Sequence, residues 1–511
     1  MTMKRFIFIS VCAFISGVQL FAQDAYDAEQ IASSDLNGTA RYVAMGGALG
    51  ALGGDISVLS DNPAGLGIFK KHDISFTTGV VIGENAGVLD HSKARMSLDQ
   101  IGFVYAMESE GDILANIGFN YHKKSNYLYN LNTVVGGLNG GSQTFDAARL
   151  VNGHGTQSIF EDLMSNSYIQ GGKDVLSYDN SSKWYAGSSA TYADYRRSSR
   201  GSNSQFDVDL SLNVGDQVFF GFGIGCYSIN SKWESIYYEQ NRTPGSVKSN
   251  ENRGYDIYSW NETKGDGFDL KFGTIIRPIE SSPFRFGVAI HTPTWYNIQK
   301  TNGADLNLYD VNDNVLDYFS AEGGDFYDSK YRFRTPWKFD FSLGTTVGSW
   351  LALGAEYTVQ DLSTCKYYYG DDSFFSGTFS DINHQIKSSL KTQHTLKLGV
   401  ECKPTDQISV RLGYNYVSSP FTDGAYKDLN YNAEDTETVF INWKDQNRYT
   451  AGLGYRFKGG YLDFTYQYVA QDGDFYAFSN KIKEVGENGN YTPTLISNNR
   501  HQLMATLGFR F

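Results

Sequence analysis

Cysteine, proline and basic charge are all scarce in this sequence, and after the first two dozen residues long apolar runs are missing too. Only 4 of 511 residues are cysteine. Cys12 falls inside an N-terminal apolar run, and Cys226, Cys365 and Cys402 are odd in number and widely spaced. Neither a disulfide framework nor a CxxC metal site is indicated. Basic side chains number 43 against 56 acidic ones, a net charge of −13. That balance argues against nucleic acid as a partner, because phosphate binding needs clustered Lys and Arg. Beyond the N-terminus no segment offers the ~20 apolar residues of a membrane-crossing helix. What is abundant is different: 36 Tyr, 34 Phe and 54 Gly, beside only 9 Pro. Such a composition suits a β-rich chain with one face in lipid.

The first residues read as an export signal. Lys4-Arg5 precedes an apolar run from Phe6 to Phe21, followed by Ala22-Gln23-Asp24. A basic start, a short apolar stretch and a small residue at its end predict cleavage near Ala22. Cys12 is not a lipidation site, since Val11 stands before it where a small residue is needed. The predicted division is a signal peptide at 1–22, an N-terminal segment at 23–72 and a β-domain at 73–511.

From residue 73 onward the dominant period is two. Trp337, Phe339, Phe341, Leu343, Thr345 and Val347 alternate with Lys338, Asp340, Ser342, Gly344 and Thr346. Successive side chains of a strand point to opposite faces, so each such segment has one apolar and one polar face. Fourteen segments follow this pattern, at 73–83, 97–107, 112–121, 203–213, 217–227, 266–277, 284–293, 336–347, 350–360, 391–402, 407–417, 446–457, 461–469 and 499–511. Tight turns at 108–111, 214–216, 278–283, 348–349, 403–406 and 458–460 alternate with long polar loops at 84–96, 122–202, 228–265, 294–335, 361–390, 418–445 and 470–498. Short connections on one side and long ones on the other are the plan of an outer-membrane barrel. The predicted fold is therefore all-β: a transmembrane antiparallel β-barrel of 14 strands, multi-pass in the outer membrane of a Gram-negative bacterium.

The apolar face is nearly free of charge, whereas the other carries Asp269, Lys271, Arg277, Arg285, Lys338, Asp340, Glu356, Lys397, Glu401, Arg411, Arg456, Asp463 and Arg510. A charge at the lipid midplane costs ~2–4 kcal/mol, so these residues belong in the lumen. Aromatics gather at strand ends: Trp295, Tyr357, Tyr416 and Tyr468 towards the loops, Trp350, Phe457, Tyr461 and Phe511 towards the turns. Flat rings with polar tips favour both interfaces. The last segment closes on Phe509 and Phe511, a candidate signal for the barrel assembly machinery.

Residues 24–72 do not alternate. They are rich in Ala and Gly, and Asp55 is placed to cap a short helix ending before Asn62-Pro63-Ala64-Gly65-Leu66. Small residues pack tightly against a wall, and Gly221, Gly223 and Gly225 offer room on the lumen side of one strand. Further glycines stand at 118, 354, 399, 413, 452, 454 and 508. This segment reads as a small plug of short helices in the lumen. The run from Asp55 through Asn62-Pro63-Ala64-Gly65-Leu66 into the first strand resembles the FadL-type family of long-chain fatty-acid and aromatic-hydrocarbon transporters. The resemblance implies a monomeric barrel sealed by an N-terminal hatch. It implies capture of an apolar ligand from outside and lateral exit into the outer-membrane lipid. Asp55, Asn62, Pro63, Ala64, Gly65 and Leu66 are then the candidate hatch residues; the family's pocket residues are not carried over.

Other chemistry finds little support. None of the 8 histidines stands at helical metal-binding spacing, and no cofactor is called for. Asp310-Val311-Asn312-Asp313-Asn314 begins like a calcium loop but lacks the Gly at position six and the Glu at twelve. Gly221-Phe222-Gly223-Ile224-Gly225 lies in a strand and opens no helix, so it is no phosphate loop. No Ser–His–Asp set is evident, and an enzyme is not expected. The alternatives are a haemin-binding receptor, a surface-binding protein working through its loops, and an open porin, which expects no plug.

Overall fold

Period-two alternation becomes a closed ring of antiparallel strands. The computed structural model describes residues 23–89, 91–107, 113–154, 158–166, 176–178, 184–186, 189–240, 253–310, 312–320, 327–370, 377–427, 436–478 and 492–511. The expected signal segment, its cleavage site near Ala22 and the turn at 108–111 lie outside these residues. The fourteen wall strands are β1 (Asp73–Gly83), β2 (Ala94–Ala106), β3 (Ile113–Asn126), β4 (Tyr192–Val214), β5 (Val218–Gln240), β6 (Gly254–Ile276), β7 (Arg285–His291), β8 (Lys338–Val347), β9 (Leu351–Asp361), β10 (Thr392–Cys402), β11 (Ile408–Val417), β12 (Phe440–Phe457), β13 (Gly460–Tyr476) and β14 (Arg500–Arg510). Each pairs with the next, and β14 pairs with β1 from Asp73↔Arg510 to Gly83↔Arg500, so the ring closes. All fourteen predicted segments are wall strands. Their tight connections use the chirality that strand twist requires: between β4 and β5, Gly215 and Asp216 have φ of 61° and 55°, as a two-residue hairpin turn demands.

The faces are as the pattern predicts. Along β8, Phe339, Phe341 and Leu343 are exposed while Asp340 and Ser342 are buried. The same outward apolar row recurs around the ring, with Phe76, Leu210, Phe222, Phe272, Leu398, Leu453, Phe464 and Leu507 exposed. In water this surface would be untenable; in lipid it is the matching solvent.

Several expected loops are instead strand. β4, β5 and β6 each run for 23 residues, about twice the ~9–11 needed to cross a bilayer. They fill most of the stretch read as a loop at 228–265 and the end of that at 122–202, from Tyr192 onward. The apolar alternation stops near Phe206, Cys226 and Phe268, where lipid ends, but the ladder continues to Tyr192↔Gln240 and Gln240↔Gly254. Backbone pairing needs no apolar side chain, so side-chain pattern marks the membrane edge rather than the strand end. Residues 294–335 likewise hold the strands Trp295–Tyr309, Val315–Ser320 and Tyr327–Arg334, folded back on one another.

The N-terminal segment is a plug inside the ring. It comprises α1 (Ala25–Ala32), α2 (Ala40–Ala44) and 3-10 helices at Ile56–Ser60 and Pro63–Ile68. Above the wall, α3 (Gln143–His154) and α4 (Ile159–Asn166) pack Leu150, Phe160 and Leu163 against Tyr195, Tyr255, Leu306 and Phe475 of the extended strands. A last helix, α5 (Ser380–Ser389), packs on α1 through Ile382 and Ile386.

Candidate functional site

The plug is seated backbone to backbone on the wall. Ten consecutive or near-consecutive strands each turn one glycine toward it: Gly102, Gly118, Gly221, Gly273, Gly287, Gly344, Gly354, Gly399, Gly413 and Gly452. Four of these form an unbroken row across β8–β11, since Gly344↔Gly354, Gly354↔Gly399 and Gly399↔Gly413 are register partners. A Cβ on Gly354 would collide with the Ala48 carbonyl oxygen, one on Gly399 with that of Met45, and one on Gly413 with the Gly46 nitrogen. The plug turn at 45–50 thus lies flat on a strip with no side chains.

The candidate hatch residues form the opposite foot. Asp55 caps the first 3-10 helix, accepting from the Ser57 N–H at 3.0 Å and the Thr39 hydroxyl at 2.7 Å. The Asn62 run is itself helical rather than a break. Asn62 caps it by accepting from the Ala64 N–H at 3.1 Å, and its amide reaches the Thr274 carbonyl oxygen at 3.4 Å. Leu66 is fully buried, and Asn116 donates to its carbonyl oxygen at 2.8 Å. Pro63 and Ala64 lie on Gly221. Gly223 and Gly225 do not meet the plug; they face Asp209, Lys271 and Asp269 instead. Each pair of residues along a strand adds about 7 Å, which lifts them above the 3-10 helix. Phe509 and Phe511 point outward at the turn end and are 44% and 65% exposed.

Charge ties the same surfaces together. Asp61 accepts from Lys397 at 2.8 Å and Lys338 at 3.5 Å, and also from the Tyr42 hydroxyl. Lys397 in turn holds Glu356 at 2.6 Å, whose carboxylate accepts from the Gly50 N–H at 3.1 Å. Lower down, Arg41 reaches Glu401 at 2.9 Å, which also binds Arg411 at 2.6 Å. The wall charges Lys338, Glu356, Lys397, Glu401 and Arg411 are legible in the sequence as lumen residues. Their plug partners Arg41 and Asp61 are not, because nothing local marks a residue whose counter-ions lie 277 to 360 positions away.

The wall has a partial opening. β2 and β3 pair only from Gln100↔His122 to Ala106↔Asn116. On the cap side of that point β2 continues with β1 alone and β3 with β4 alone, each with a bulge, at Asp99 and Lys124 respectively. The leg of the plug at 33–37 occupies the seam between them. The Asp35 N–H donates to the Lys124 carbonyl oxygen at 2.8 Å, and the Asn126 N–H to the Asp35 carboxylate at 2.8 Å. The Ser125 hydroxyl donates to the Ser33 carbonyl oxygen at 2.9 Å, and Asn37 reaches Asp99 at 3.3 Å.

That leg also forms one wall of a cavity of about 250 Å³ under the cap, between α1 and the barrel rim. Part of its lining is aromatic. Tyr26 stacks on Phe421 at 5.0 Å between ring centres, Tyr129 meets Trp443 edge-on at 5.4 Å, and Arg197 lies 4.4 Å over the Trp233 ring. Ion pairs line the same cavity: Lys300–Asp27 at 2.6 Å, Arg197–Glu437 at 3.3 Å, and Arg500 and Arg448 both on Asp35. Arg448 is 5% exposed, and its Nε has no hydrogen-bond partner among the described residues. A lining of aromatic rings and cations is suited to an amphipathic molecule.

Glu29, on α1, lines this cavity and donates nothing while ionised; it accepts from the Ser33 hydroxyl at 2.6 Å. Burial pushes its carboxyl up from 4.5 to about 7, against the pull of that hydrogen bond. A carboxyl raised in this way gives stability that is full below its ordinary value and lost as pH rises through about 7. The cavity therefore gains a negative charge above neutrality. Binding of decyl sulfate, ionised throughout, is expected to weaken as pH is raised from about 6 to about 8, and Glu29→Gln to abolish the change. Calorimetric titration at several pH values checks this; an unchanged slope in the Gln variant would refute the assignment to Glu29.

No family model matches the chain, and no curated protein sequence matches it. Solved structures do. A deletion mutant of the TodX monoaromatic hydrocarbon channel aligns over 93% of this chain and 100% of its own at 10% identity, with a TM-score of 0.50. A FadL homologue from Pseudomonas aeruginosa aligns over 94% and 100% at 13% identity, TM-score 0.49. The CymD monoaromatic hydrocarbon channel aligns over 94% and 99% at 9% identity, TM-score 0.47. At 10% identity the TodX match, which reaches a TM-score of 0.50, speaks for the fold alone.

Proposed function

We propose that this barrel sits in the outer membrane of a Gram-negative bacterium and admits small hydrophobic or amphipathic molecules, long-chain fatty acids or similar compounds among them. The observation that carries the reading is that one stretch of plug, 33–37, both borders the aromatic cavity and stops the seam between β2 and β3. A ligand entering the cavity gains ~25 cal/mol per Å² of apolar surface removed from water. It then presses on the residues that hold the seam shut. Withdrawal of that leg opens a path from cavity to lipid without passage through the water below the plug. The named TodX, CymD and FadL-like channels share the fold, which supports this use of it, and the seated plug disfavours an open porin.

The test has two stages. The chain is purified from outer membranes in mild detergent, and whatever it holds is extracted and identified by mass spectrometry. Uptake of that compound is then measured in cells carrying a variant lacking Asp99. Removing this bulged residue restores strict alternation to β2 and is expected to close the seam. Uptake should fall to the level of cells without the protein while the purified variant still retains ligand. Undiminished uptake would rule out the seam as the exit. Bound haem, or steady ion conductance with no ligand, would replace the reading altogether.

A further inference from the structure

A second surface of the barrel faces outward and has its own chemistry. Just above the lipid belt, Phe268 and Trp295 pack at 5.3 Å between ring centres, marking the interface. On the same row, Trp295 is the register partner of Arg334, and Arg334 that of Lys366. Two cations thus stand directly opposite each other on neighbouring strands, an arrangement that is destabilising in itself. One outward row higher, Arg332 donates to the Tyr369 carbonyl oxygen at 3.1 Å, and Lys330 extends the patch a further row above it. Among the described residues, no carboxylate pairs with Arg334, Lys366 or Lys330. The Arg334 Nε is shielded from solvent and also lacks a partner there, while its guanidinium lies 6.0 Å over the Tyr368 ring. Outward cations elsewhere are treated differently: Lys232 and Lys264 share Glu262 at 2.8 and 2.7 Å.

We propose that the outward ledge formed by Arg334, Lys366 and Lys330 binds the phosphate groups of an outer-leaflet glycolipid. The height fixes the choice of occupant. Phe272, Ile290 and Phe339, immediately below, are exposed and lie in the acyl region, so the charges stand where phosphorylated headgroups begin. A phosphate bridging Arg334 and Lys366 removes their repulsion and supplies the planar guanidinium with charge-assisted hydrogen bonds. The lipid's acyl chains continue down over Phe272 and Phe339. This surface is on the opposite face of the wall from the cavity and does not depend on what the barrel transports.

Native mass spectrometry of the full chain in non-ionic detergent tests the assignment. The probes are bisphosphorylated lipid A, the same lipid without its phosphates, and inorganic phosphate alone. The phosphorylated lipid is expected to be retained at least about tenfold more tightly than its phosphate-free form, with the preference lost in Arg334→Gln/Lys366→Gln. Lys232→Gln, which removes an outward cation that is already paired with Glu262, should leave retention unchanged. Equal retention of the two lipids, or by the double variant, overturns the proposal. So does competition by inorganic phosphate at the lipid's own affinity, since the site would then serve a free anion. Heat-modified gel migration shows that each variant remains a folded barrel, so loss of retention reports the site.

Discussion

Replacing Gly354 by Val is expected to unseat the plug and turn a closed barrel into a conducting pore. Gly354 is one of the four glycines in the row across β8–β11, and the atom that a Cβ there would meet is the Ala48 carbonyl oxygen. A side-chain neighbour could rotate away; a main-chain oxygen in a tight turn cannot. The turn at 45–50 must therefore lift, taking with it the contacts that Met45 and Gly46 make on Gly399 and Gly413. The wall itself should survive, because Val is favoured in strands and the outward face is untouched. Planar-bilayer recordings are expected to show a silent parent and persistent openings in the variant. Ala355→Val, one residue along and facing lipid beside Leu343 and Leu398, serves as the control and should stay silent. A folded Gly354→Val barrel that does not conduct would mean that the glycine row is no seat.

Loss of the Asp61 carboxylate should loosen the plug from the other direction. In Asp61→Ala, Lys397 and Lys338 keep only the wall carboxylates Glu356 and Asp340, and Tyr42 loses its acceptor. Breaking a buried pair by removing one partner costs about 3–5 kcal/mol, mostly because charge is left uncompensated. Hydrogen exchange at the amides of residues 39–68 is expected to speed up by roughly 10²-fold or more, with little change in the wall strands. The double variant Asp61→Ala/Lys397→Met should be less affected than the two single changes combined, since both changes break the same Asp61–Lys397 pair and its loss is counted only once. Unaltered exchange in the single variant would show that the glycine seat alone holds the plug.

The wall was readable in the sequence because a lipid-facing strand obeys a strict rule at every second position. Phe339, Phe341 and Leu343 announce their face without reference to any other part of the chain. The plug was readable in outline for a similar reason: Ala44 to Gly54 cannot alternate, and Asp55 and Asn62 are natural caps. What lay beyond reach was of two kinds. The strands above the membrane, such as Tyr192–Phe206 within β4, have polar residues on both faces and carry no periodic mark. The partnerships of Asp61 with Lys397, of Asp35 with Arg448 and Arg500, and of the 33–37 leg with the seam depend on closure of the ring. Gly223 and Gly225 show the limit from the other side: the glycine signal was present, but the height at which the plug sits could not be inferred from it.

The closing pair has a kinetic meaning as well. Arg510 reaches Asp73 at 2.5 Å across 437 positions of chain, so the ring is completed by a contact between the two ends of the β-domain. Loop-closure entropy rises only logarithmically with length, to about 5 kcal/mol here, but such contacts are slow to find. The plug precedes β1, yet the Ala40 N–H donates to Thr506 on β14 at 2.7 Å. The first part of the folded chain is thus completed by the last. The seat of the plug is therefore complete only once the last strand is in place, so the same strand that closes the ring also finishes its filling.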